Sequence, residues 1–321
     1  MAAMRWISLT LIGALLLSLA APISRAQATV RPLLAWSPTA DLIALTNADQ
    51  VLLYSLSADL DAWELQTTLS GEGAALSALA WQPHGEALAA GDVEGRLFLW
   101  TLADLVRQQA QAHSAPIRAL AWQAEGAHIA AADRDSLSVW AVQPLALEQT
   151  WASEGIITTL AWHGDLIAVG GAQRGTYEQG YLALHNQAGA LVERYSAEMR
   201  APFNLQSLPG SQLGIGTPFD VFVWQPRTDA YKPLYLPFTE GESAALAVWS
   251  LRGDQAVVAL GSRLLCFAEG APNGESALVL PLVAAAWRAD GAYAALLASD
   301  GTLSLLAAAA CTAQATLRAA P

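Results

Sequence analysis

The sequence contains a single lysine, Lys232, and two cysteines, Cys266 and Cys311. Charged residues make up 14% of its 321 positions, and acidic side chains outnumber basic ones 28 to 16. The net charge of −12 repels phosphate backbones and anionic headgroups, so nucleic acid is not an expected partner. Acidity of this kind serves solubility first. The cysteines form no C-x-x-C pair and have no ligand cluster around them, which removes zinc and thiol-redox motifs. Two readings of them stay open: one disulfide in an oxidising compartment, or two buried small hydrophobes.

Motifs that carry chemistry are also missing. There is no G-x-S-x-G elbow, no Gly-Lys-Ser phosphate loop and no H-x-x-x-H pair. The histidines are scattered, at His84, His113, His128, His163 and His185. His84 and His163 fall in turns after a tryptophan, a slot that repeats and therefore reads as structural. Asp59-Leu60-Asp61 and Asp133-Arg134-Asp135 lack the further ligands of a calcium loop and read as turns. Gly214 and Gly216 lack the third glycine and following helix of a dinucleotide fingerprint. No catalytic, cofactor-binding or metal-ligating residue is nominated, and an enzyme is not expected.

What is present begins with an N-terminal export signal. Arg5 precedes an apolar run from Trp6 to Ala21, which Pro22 ends. Small residues then offer cleavage after Ala26 or Ala28, the layout of a secretory signal peptide. The run is shorter than the ~20 residues of a comfortable membrane span, so cleavage is favoured over an uncleaved anchor. Residues 1–28 are thus expected to leave a periplasmic or extracellular domain at 29–321. No second apolar run of spanning length follows, so no stable membrane span is expected after cleavage. The mature chain is expected to be monomeric by itself.

The remainder repeats. Ala35-Trp36-Ser37-Pro38, Ala80-Trp81-Gln82-Pro83 and Ala121-Trp122-Gln123 are followed by Ala161-Trp162-His163, Val248-Trp249-Ser250 and Ala286-Trp287-Arg288. A degenerate copy places Gln206 where the others have Trp. The seven anchors lie 38 to 45 residues apart, the period of propeller blades. Helical periodicity is absent outside the leader. Each unit divides into four short strands. Small residues fill the crowded inner strands, and tryptophans fill the wedges between blades. Third strands recur at 51–56, 96–100, 137–140, 181–185, 221–224, 263–267 and 302–306. The expected fold is all-β: a seven-bladed propeller of four-stranded antiparallel blades. The blades run from first to fourth strand without an offset, so closure is expected from packing of the first blade on the last.

This pattern resembles the WD40 repeat family over residues 30 to 318. Ala35–Pro38 is similar to the family's first strand and turn, and Ser299-Asp300-Gly301-Thr302-Leu303 to its second turn and third strand. Trp100, Trp140 and Trp224 sit where the family's Trp-Asp pair falls, but Thr101, Ala141 and Gln225 replace the Asp. His113, Asp135 and Trp140 fit the family's buried polar network, with no hydroxyl in Ala130–Ala132 to complete it. The resemblance implies a non-catalytic scaffold for protein or peptide partners. A small-molecule or glycan binder is the alternative, and a propeller hydrolase or lactonase a weaker one.

In the family orientation, links between blades and the turns between second and third strands share one face. Two irregular segments land there. Gly170–Gly180, with Arg174, Tyr177 and Glu178, is a longer turn than its counterparts. Glu198–Phe203, with Met199, Arg200 and Phe203, enters the degenerate fifth blade, whose own turn carries Phe219. Arginine and aromatic residues on loops of a rigid scaffold are the types that anchor interfaces. Blades four and five are therefore the expected binding patch.

Overall fold

The computed structural model describes residues 31–318, apart from 196 and 229. The segment expected to be a signal peptide, with both expected cleavage positions, falls outside the described residues. Among the described residues the secondary structure is entirely β. Blade one is β1 (Leu34–Trp36), β2 (Leu42–Asn47), β3 (Gln50–Leu56) and β4 (Trp63–Ser70). Blade two is β5 (Leu76–Trp81), β6 (Ala87–Asp92), β7 (Arg96–Thr101) and β8 (Arg107–Gln111). Blade three is β9 (Ala119–Trp122), β10 (His128–Ala132), β11 (Ser136–Val142) and β12 (Leu145–Ala152). Blade four is β13 (Ile156–His163), β14 (Leu166–Gln173), β15 (Thr176–Asn186) and β16 (Leu191–Arg194). Blade five is β17 (Asn204–Leu208), β18 (Gln212–Gly216), β19 (Val221–Gln225) and β20 (Ala230–Leu234). Blade six is β21 (Ala244–Trp249), β22 (Gln255–Leu260), β23 (Arg263–Ala268) and β24 (Ala271–Ala277). Blade seven is β25 (Leu282–Trp287), β26 (Tyr293–Ala298), β27 (Thr302–Ala307) and β28 (Thr312–Arg318).

Every blade is a four-stranded antiparallel sheet whose strands follow chain order, so the seven-bladed all-β architecture stands as expected. The middles of the second strands are buried, and in β6 the small-residue run Ala87–Asp92 is buried throughout. The core is divided into seven wedges, each built by two neighbouring blades. Three of the anchor tryptophans also tie the blades together. The indole N–H of Trp81 donates to the Ala35 carbonyl at 3.1 Å, that of Trp122 to Ala80 at 3.0 Å, and that of Trp287 to Val248 at 3.0 Å. Each reaches back to the residue before the preceding anchor. A large apolar ring and one satisfied donor therefore serve the same seam.

Gln206 holds its seam differently. Its amide donates forward to the Trp249 carbonyl at 2.7 Å and accepts the Trp249 N–H at 3.1 Å. The degenerate anchor is thus a two-point clasp on the next blade.

The ring closes by packing. Trp36, Ile43 and Tyr54 of blade one share a buried cluster with Ala286, Leu297 and Leu305 of blade seven. Arg288 grips Asp41 across this seam through two 2.7 Å contacts, the bidentate geometry that makes arginine–carboxylate pairs specific. Next to it, Cys266 of β23 and Cys311 of the β27–β28 turn form a disulfide with Cα atoms 5.8 Å apart. The choice between disulfide and buried hydrophobes is thereby decided. Cys266 in a third strand of blade six thus meets the turn after the third strand of blade seven, 45 positions further on, and the bond crosses the seam between these blades.

Candidate functional site

Blade three contains a buried polar chain. Ser138 Oγ lies 2.9 Å from His113 Nε2 and accepts the Trp140 indole N–H at 2.8 Å. His113 Nδ1 lies 3.0 Å from Ser136 Oγ and 3.4 Å from the Asp133 carboxylate. Two expectations are corrected here. The acid is Asp133, because its Oδ1 turns inward to accept the backbone N–H groups of Asp135 and Ser136. Asp135 points outward and pairs with Arg174 at 2.8 Å. The hydroxyl comes from the third strand, two residues before Trp140, and not from Ala130–Ala132. This network ties link, turn and strand together, and its buried members are satisfied.

His163 and His84 do not share one slot. His84 is exposed in the β5–β6 turn, whereas His163 ends β13, buried, with Nδ1 3.1 Å from Ser207 Oγ of blade five. Burial, then the positive charge of Arg227, holds the His163 pKa below its ordinary value.

The expected patch on blades four and five is rearranged. The Gly170–Gly180 segment is not a loop. It is the tip of a long β14–β15 hairpin that stays paired out to Gln173 and Thr176. Arg174 faces away from blade five, held by Asp135 and the Ser153 carbonyl of blade three. Tyr177 lies in β15, but its side chain is outside the described residues. Phe203 packs inward, where Gly216 leaves the space its ring occupies, and it joins the wedge between blades five and six. Met199 is buried in the wedge between blades four and five. Glu178, Arg200 and Phe219 do meet. Arg200 pairs with Glu178 at 3.2 Å and lies over the Phe219 ring at 5.7 Å.

These residues border a groove of about 640 Å³ that a second hollow of about 370 Å³ extends. Its origin is a register break. Tyr195 N–H donates to the Leu182 carbonyl, and Gly180 N–H donates to the Met199 carbonyl at 2.7 Å. Positions 195 and 199 of the link thus meet positions 182 and 180 of β15, so link and strand are out of register here. Gly180 permits this, because a Cβ there would stand 2.3 Å from the Arg200 carbonyl oxygen. The walls are aromatic. Tyr195 lies 5.4 Å from Phe222 and 5.3 Å from Trp224, and Phe222 lies 4.8 Å from Tyr231. Glu198 and Asp220 border both hollows. Burial raises the Tyr231 pKa, and the negative charge of nearby Asp220 raises it further.

Tyr195, Asp220, Phe222 and Tyr231 were not visible as site residues in the sequence. Tyr195 and Tyr231 belong to a link and an outer strand, where aromatic residues carry no motif. Among the described residues, no group of three or more His, Cys, Asp or Glu is placed to hold a metal ion.

Comparison with known proteins agrees with the architecture. Residues 34–106 match the family of the anaphase-promoting complex subunit 4 WD40 domain. No curated protein matches the sequence. Among solved structures, that of U3-55K is similar with a TM-score of 0.67 and 13% identity, over 78% of this chain and 84% of that one. At that identity the likeness concerns the fold alone.

Proposed function

We propose that this chain, a WD40-repeat β-propeller, is exported and acts as a non-catalytic scaffold that captures a protein or peptide partner on blades four and five. The observation that carries this reading is the groove between the β15 edge and the blade-five turn, where Arg200 meets Phe219 and Tyr231 lines the adjoining hollow. Rigid aromatic and arginine side chains beside a concave surface are what interface hot spots are made of. WD40 propellers are protein-interaction scaffolds in general and typically do no chemistry. Export is supported by the signal-like leader and by the Cys266–Cys311 disulfide, a bond that persists in oxidising compartments.

The test is capture from a native cell-envelope extract, with bound proteins identified by mass spectrometry. Wild-type protein is expected to retain a partner that an Arg200→Ala/Phe219→Ala variant loses. Equal capture by both would refute the patch. N-terminal sequencing of exported protein should begin at Gln27 or Thr29, and an intact Met1 would refute cleavage. A glycan is the second reading, favoured by the half-exposed ring faces of Phe219 and Tyr231 beside polar groups.

A further inference from the structure

Aromatic rings with a carboxylate beside them recur on this molecule, and three of these sites are filled by the chain's own arginines. Arg96 lies 5.6 Å over Phe98 and pairs with Asp92 and Glu72. Arg288 lies 5.9 Å over Tyr293 and pairs with Asp41. Arg200 lies over Phe219 and pairs with Glu178. The groove between blades four and five has the same ingredients without the cation. Its rings are Tyr195, Phe222 and Tyr231, the last 47% exposed. Its carboxylates are Glu198 and Asp220, both exposed, and neither has an ion-pair or side-chain hydrogen-bond partner among the described residues. The arginines nearby are already committed, Arg194 to Glu154 and Arg200 to Glu178.

A ring face attracts a cation through its quadrupole, and a carboxylate beside it fixes the direction of the guanidinium. We infer that this groove receives an arginine side chain from an extended, basic segment of the protein partner, an inference that rests on the reading of blades four and five as the binding face. The guanidinium stacks on Tyr231 and is clamped by Asp220 and Glu198. Tyr195, Ala197 and Met199 form the wall along which the partner's backbone runs. The chain's net charge of −12 favours the approach of such a segment at long range. Arginine suits the site better than lysine, because its planar, weakly hydrated head both stacks and forms two-point contacts.

The test uses a fluorescein-labelled Gly-Ser peptide carrying two arginines, its citrulline counterpart and its lysine counterpart, read by fluorescence anisotropy. Citrulline keeps the shape and removes the charge. The arginine peptide is expected to bind saturably, and the citrulline peptide about tenfold or more weaker. Glu198→Gln/Asp220→Asn should weaken the arginine peptide about tenfold while leaving the citrulline peptide unchanged. Tyr231→Ala should weaken it by about fivefold or more. Arginine and citrulline peptides binding alike would overturn the inference, as would an undiminished affinity in Glu198→Gln/Asp220→Asn. Saturable binding of a neutral oligosaccharide that depends on Phe219 but not on the two carboxylates would also overturn it. If envelope capture is lost in Arg200→Ala/Phe219→Ala but kept in Glu198→Gln/Asp220→Asn, the face stands and the arginine assignment falls.

Discussion

Blades three and five secure their third strands by opposite means. In blade three, Asp133, His113, Ser138 and Trp140 form one polar chain that runs from the link through the turn to the strand. Blade five keeps the corresponding tryptophan, Trp224, but surrounds it with Phe222 and with Tyr195 of the incoming link. Its first strand is anchored by the Gln206 clasp, and Gly214 makes room for the Trp249 ring, which a Cβ would meet at 2.7 Å. The polar chain uses up its groups internally and leaves blade three closed. The aromatic solution leaves rings and carboxylates facing solvent, and that is where the groove lies. Regularity builds the scaffold, and the departure from it supplies the surface.

The largest expected effect separates the two solutions in energy. Trp140→Ala and Trp224→Ala should each cost about 3 to 5 kcal/mol in chemical denaturation, from lost burial and the cavity left behind. Trp140→Ala also strips Ser138 of a donor, which adds about 1 kcal/mol to its loss of burial. A loss well below about 3 kcal/mol at either tryptophan would break this account. The Cys266–Cys311 bond, which joins blades six and seven, supplies a yardstick. With its cysteines 45 positions apart in sequence, reduction should lower stability by about 3 to 4 kcal/mol.

Next in size are the two anchors. His113→Ala removes the centre of the polar chain and should cost about 2 to 3 kcal/mol. Gln206→Ala removes two hydrogen bonds and should cost about 1 to 2 kcal/mol. A double-mutant cycle of His113→Ala with Ser138→Ala should show coupling of about 1 kcal/mol or more, and none is expected between His113 and Gln206. The smallest effect concerns pH. The His163 pKa lies below its unfolded value near 6.5, so the folded state binds fewer protons there than the unfolded state. Its contribution to stability is present above about pH 6.5 and is lost as the pH falls through the lowered folded value. His163→Gln should flatten the stability profile below pH 6.5, measured by denaturation at several pH values.

The contrast also explains what could be read in the sequence. Blade count, strand phase and the inner-strand alanines follow from a period of 38 to 45 residues and from Trp36, Trp81, Trp122, Trp162, Trp249 and Trp287. These are repeated signals, and repetition makes each copy check the others. The choice of Asp133 over Asp135 was not legible, since only turn geometry decides which carboxylate faces His113. Ser138 carries no signal in the sequence, because its hydroxyl acts from the third strand, two residues before Trp140, and not from Ala130–Ala132. Phe203 reads as an interface residue from its place in a link, yet the space left by Gly216 draws it inward. The groove itself depends on positions 195 and 199 of the link meeting positions 182 and 180 of β15, a long-range register that no local pattern encodes.

The central claim is that the irregular side of the ring is the binding side. Hydrogen–deuterium exchange of the protein with and without its captured partner tests it most directly. Protection is expected in residues 176–182, 194–200 and 217–222, with blades one to three unchanged. Protection confined to blades one to three, with those segments exchanging as in the free protein, would contradict it.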